Sequence, residues 1–113
     1  MQNADALLKK HNNFKDAQIR SIENISDSSK VLTLVVQDDD GEDTDRVKIA
    51  FSGIRDSRIL ENSVLPFLDM MSGISIIIEH DLYGFAIGDG SAMLHVHNAP
   101  LYIISSNITI EEE

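Results

Sequence analysis

A chain of 113 residues suits one domain, and 42% hydrophobic with 25% charged residues is the mix of an apolar core under a solvated surface. The absence of cysteine excludes disulfides, thiolate metal sites and thiol nucleophiles, and it fits a reducing compartment. A net charge of −10 with only nine Lys and Arg argues against nucleic-acid binding, which needs cations on phosphates.

Residues 1–10 lack a basic segment followed by an apolar run, so no secretory signal is expected. No stretch approaches the ~18 apolar residues of a membrane span. A cytoplasmic location is the expectation, under which Asn24-Ile25-Ser26 and Asn107-Ile108-Thr109 are glycosylation patterns without meaning. Residues 3–11 read as a short helix capped by Asn3 or Asp5 and docked by Leu7 and Leu8. Over 17–25, Ile19, Ile22 and Ile25 recur every three residues, as in a helix or a bulged strand; a strand is favoured.

The strongest local signal follows. Val31–Gln37 is a β-branched run, and 46–51 alternates, with Val47, Ile49 and Phe51 on one face. Between them lies an acidic turn containing Gly41, so the two runs form a hairpin with an extended acidic tip. Residues 52–62 read as a loop. Pro66 suits a first helical turn and Gly73 a helix end, with Val64, Leu65, Phe67, Leu68 and Met71 as anchors; the alternative is an apolar loop over a sheet edge.

The remainder reads as a meander. Ile74, Ile76 and Ile78 share a face, His80-Asp81 makes a tight connection, and Tyr83, Phe85 and Ile87 share the next face. Gly88–Ser91 is a turn, 92–97 a strand, and the last strand carries Tyr102, Ile104, Ile108 and Ile110 on one face, interrupted by Ser106. The expected fold is mainly β (α+β): a single antiparallel curled sheet or small sandwich of about seven strands, with one or two short helices. One globular domain spans 1–110, and 111–113 is an acidic tail expected to be disordered.

Eight of the ten excess negative charges sit on 38–46 and 111–113. Asp38, Asp39, Asp40, Glu42, Asp43 and Asp45 are therefore the candidate partner-binding residues, suited to a basic protein. They do not make an EF-hand: with Gly41 at the sixth position, Val36 and Val47 fall where the first and last ligands belong. His95 and His97 point the same way from a strand, ~7 Å apart, a spacing that serves two metal ligands. His80, Asp81 or Asp89 could supply a third, which gives the alternative of a metal- or small-molecule-binding β-barrel. No Glu follows the pair as it does in barrels of the cupin type. Gly88-Asp89-Gly90 lacks the third glycine and the helix of a dinucleotide fingerprint, and no Gly-x-Ser-x-Gly occurs. No catalytic residue and no cofactor is assigned.

Phe14-Lys15-Asp16-Ala17-Gln18-Ile19-Arg20-Ser21-Ile22, then Val31–Leu34 and Val47-Lys48-Ile49-Ala50-Phe51-Ser52-Gly53-Ile54, resemble small bacterial domains. Those domains open with Phe-His-Asp-Ala and run through a hairpin to an apolar-x-Phe-x-Gly-apolar segment. Some are uncharacterised and others are immunity proteins that neutralise toxins. The resemblance covers the first half of the chain, with Lys15 where the family has His, and it carries over no functional residue. It implies a non-enzymatic bacterial protein acting by protein–protein contact. The long apolar last strand also leaves open a homodimer through strand edges.

Overall fold

The computed structural model describes residues 9–10, 12–15, 17–68, 70–88, 96 and 99–112. Six strands form one antiparallel sheet: β1 (Gln18–Ser26), β2 (Ser29–Gln37), β3 (Asp43–Arg58), β4 (Ile74–Glu79), β5 (Leu82–Ile87) and β6 (Tyr102–Glu112). Their order across the sheet is β1-β2-β3-β6-β5-β4. Of the two mainly β architectures expected, the single antiparallel sheet is observed and the sandwich is not, with six strands among the described residues where about seven were expected.

Residues 17–25 form a strand, and their three-residue spacing has a structural cause. The β1–β2 register slips between Ile19 and Ser21, so Ile19 and Ile22 both reach the core. β1 is an edge strand, and part of its outer edge is closed: the Asn62 side chain accepts the Ile22 N–H at 3.0 Å.

β3 and β6 are long and shared by two half-sheets. β2 pairs with β3 from Asp43 to Ser52, while β6 follows β3 from Val47 to Arg58. β5 pairs only with the first part of β6, from Tyr102 to Ser105. Residues 52–58, expected as a loop, are therefore strand. Gly53 has the look of a loop residue because it sits inside a strand with φ 65°, a conformation that side-chain-bearing residues avoid. The β3–β6 register slips by one residue between Ile54 and Asp56. Across this irregularity the buried face changes parity: Phe51 is followed in the core by Ile54, and Ile103 by Ile108. The single apolar face expected for the last strand is thus corrected. Tyr102 and Ile104 lie on the opposite face from Ile108 and Ile110, in a smaller cluster with Ala86, Val96 and Ala99.

The main core gathers Ile19, Leu32, Leu34, Ile49, Phe51, Phe85 and Ile103, with Phe51 and Phe85 edge to face at 5.4 Å. Because residues of both edge strands join this one cluster, the sheet curls around it. Phe14, at φ 58°, and Leu65 plug the curl from the connecting segments.

Other expectations need correction. The 64–72 segment holds a single 3-10 turn, Leu65–Phe67. Its three-residue repeat turns Leu65 and Leu68 inward and leaves Val64 and Phe67 outside, so Val64, Phe67 and Met71 are not anchors. Gly73 serves a turn before β4, its N–H bonded to Met70 O, rather than a helix end. Glu111 and Glu112 are not a loose tail: they pair with Lys48 and Val47 in β6. Of the strand expected at 92–97 only Val96 is described, and it is helical; the other residues lie outside the described set. Lys9 and Lys10 are the described residues of the first helix and are helical.

Candidate functional site

The acidic tip joins β2 to β3 through a turn that its first carboxylate organises. Asp38 O accepts the Gly41 N–H at 3.0 Å, and the Asp38 N–H bonds to Glu42 O at 2.9 Å. One Asp38 carboxylate oxygen also accepts the N–H groups of Asp40 and Glu42, at 2.9 and 3.0 Å. Gly41 takes φ 81°, the left-handed position that closes such hairpins. Asp38 is therefore spent on holding the loop, as short acidic side chains do in turns.

Asp43 is spent as well. It accepts from Gln37 Nε2 at 3.1 Å and from Arg20 at 3.1 Å, tying β1, β2 and β3 together at the base of the tip. The Gln37 hydrogen bond first and the Arg20 guanidinium second hold its carboxyl below the usual Asp range. Asp45 is half-buried opposite Val36. Next to it, the Thr44 hydroxyl donates to Val36 O at 3.1 Å. Glu112 faces Lys10 through two bonds, at 2.7 and 3.0 Å.

That leaves Asp39, Asp40 and Glu42. All three are exposed, and among the described residues no cation or donor meets their carboxylates. The six acidic residues that the sequence presents as one group thus separate into Asp38 and Asp43, which hold the loop and its base, a half-buried Asp45, and three that face outward. Sequence reasoning missed the Arg20–Asp43 pair. Its only hint was the placement of Gln37 and Asp43 on either side of a turn, where a hairpin brings them together.

Of the candidate metal ligands, His95, His97 and Asp89 lie outside the described residues. His80 is at the β4–β5 turn, exposed, with Nε2 3.6 Å from Glu79. Among the described residues no three His, Asp or Glu side chains converge to hold a metal.

On the outer face of the sheet, the Tyr102 hydroxyl donates to Asp56 at 3.2 Å, and the Arg58 guanidinium lies over the Tyr102 ring, 5.6 Å from its centre. Arg58 also donates to Ala99 O at 3.1 Å. Burial and the Asp56 bond push the Tyr102 phenol above its ordinary range. These contacts fasten the end of the 88–101 connection to the sheet.

No family model, no curated protein and no solved structure matches this chain. No helix among the described residues is long and apolar enough to cross a membrane.

Proposed function

We propose that the protein is a non-enzymatic, cytoplasmic bacterial interaction domain whose acidic hairpin tip engages a basic protein, in the manner of an immunity-type inhibitor of a toxin. One observation carries this reading: the tip is built to present charge. Asp38 locks the turn from within, and Asp39, Asp40 and Glu42 project from it without partners among the described residues. Charges fixed on a rigid loop lose little entropy on binding, and they steer a partner of opposite sign. The resemblance of the first half to toxin-immunity domains supports the partner class.

The test is the triple variant Asp39→Asn, Asp40→Asn, Glu42→Gln, which leaves Asp38 and Asp43 to hold the loop. Proteins captured from a lysate by the wild type at low salt should elute as salt rises. The variant should not retain them, and it should bind a purified captured partner with an association rate at least tenfold lower. Equal rates, insensitive to salt, would remove the tip from any role.

A further inference from the structure

Three consecutive amides at the end of the β2–β3 hairpin are held by one residue. The Gly41 N–H donates to Asp38 O at 3.0 Å, and the Asp40 and Glu42 N–H groups donate to one Asp38 carboxylate oxygen at 2.9 and 3.0 Å. This hold falls where the covalent chain is most reactive. Asp40 precedes a glycine, so no Cβ shields the Gly41 nitrogen from the Asp40 carboxyl. The space in which such a Cβ would stand is empty to 4 Å, and both residues are exposed. Among the described residues no donor engages the Asp40 carboxylate, and no other described Asp precedes a glycine.

We propose that Asp40–Gly41 is a site of spontaneous aspartyl isomerisation, and that Asp38 sets its rate. In the reaction the Gly41 nitrogen attacks Asp40 Cγ. The new N–Cγ bond closes a five-membered succinimide, the carboxyl C–OH bond breaks, and the hydroxyl leaves with the amide proton as water. A second water then adds to the main-chain carbonyl carbon of Asp40 and breaks its bond to the Gly41 nitrogen. The chain now runs through Cβ and Cγ, and the former carbonyl carbon is a free carboxylate. One water is lost and one regained, so no other reactant is needed, and mass and net charge are unchanged.

Ring closure requires the Gly41 amide proton to leave and the peptide plane between Asp40 and Gly41 to turn towards Cγ. In the folded hairpin that proton is bonded to Asp38 O, and the amides on either side of it are bonded to the Asp38 side chain. The reaction therefore proceeds from conformations in which the tip has opened, and it is slower in the protein than in a free chain of the same sequence. The product carries one more methylene in the main chain, inside a turn closed by the bond from the Asp38 N–H to Glu42 O. Its carboxylate no longer projects on a side chain, so the tip is remodelled with its charge intact. None of this depends on the partner proposed for the tip.

Incubation of the full chain in warm neutral buffer tests this, with electron-transfer mass spectrometry to locate isoaspartate. The unrestrained reaction is read from a synthetic peptide of residues 36–45 with blocked ends. Isoaspartate should form at position 40 at least tenfold more slowly in the wild type than in the peptide. Asp38→Ala should raise the rate in the protein at least threefold. Asp38→Asn keeps a side-chain oxygen for the Asp40 and Glu42 amides and should stay near the wild-type rate. Asp40→Glu, whose ring would have six members, should form no such product. A wild type as fast as the peptide, an Asp38→Ala chain no faster than the wild type, or an Asp38→Asn chain as fast as Asp38→Ala would overturn the proposal.

Discussion

The Ser106 hydroxyl occupies the space that a Cβ on Gly53 would need, with the Ser106 Cβ 3.2 Å from that point. The two residues face each other across β3 and β6 where both strands bend and their buried faces change parity. Gly53→Ala combines a left-handed cost of ~1–2 kcal/mol with overpacking of ~1–3 kcal/mol. It should lower unfolding free energy by roughly 2–5 kcal/mol. Adding Ser106→Gly should restore the packing share alone, and a double-mutant cycle from urea titrations measures that coupling.

Phe85 bridges the half-sheets by its contact with Phe51. Phe85→Ala should cost ~3–5 kcal/mol by chemical denaturation, as expected for a fully buried aromatic side chain.

Asp43 should titrate below the usual Asp range in carboxyl NMR spectra. Gln37→Leu should move its midpoint up further than Arg20→Gln, since the Gln37 bond is the larger cause. A lowered folded-state value means the stabilisation is full above the unfolded value and fades as pH falls through the folded one. Asp43→Asn should therefore narrow the difference in stability between neutral and strongly acid solution.

Tyr102 has the opposite sign. Its raised value favours the protonated phenol in the folded state. That contribution is full below the ordinary tyrosine range and lost as pH rises through the folded value. An ultraviolet alkaline titration should show one phenol ionising late, and Tyr102→Phe should remove that step.

Opening the tip should be possible without unfolding the sheet. In Asp38→Ala the N–H groups of Asp40 and Glu42 lose their shared acceptor, so their hydrogen exchange should speed up while that of Val47 and Ile49 is unchanged.

The sequence displayed what alternation can display. Val47, Ile49 and Phe51 marked an inner face that the structure keeps, and β-branched content with turn residues placed the two hairpins. Features that depend on pairing between distant segments were hidden. Gly53 looks like a loop residue until Ser106 lies opposite it, and Ile103 and Ile108 look like different faces until the slip at Ile54–Asp56 joins them. The acidic tip was visible as a patch, but the division of labour within it needed the positions of Arg20 and Gln37.

β6 comes after every other described strand in the chain, yet it lies between β3 and β5. Val47 finds its partner at Glu112, a closure of some 65 residues. The β1–β3 meander and the β4–β5 hairpin can each assemble locally, but neither gains its inner neighbour until that segment arrives. During synthesis, then, one flank of β3 and one of β5 stand open until almost the whole described chain has left the ribosome. Slow, late-committing folding follows from that order, and with it a window in which the waiting strands can take a wrong partner.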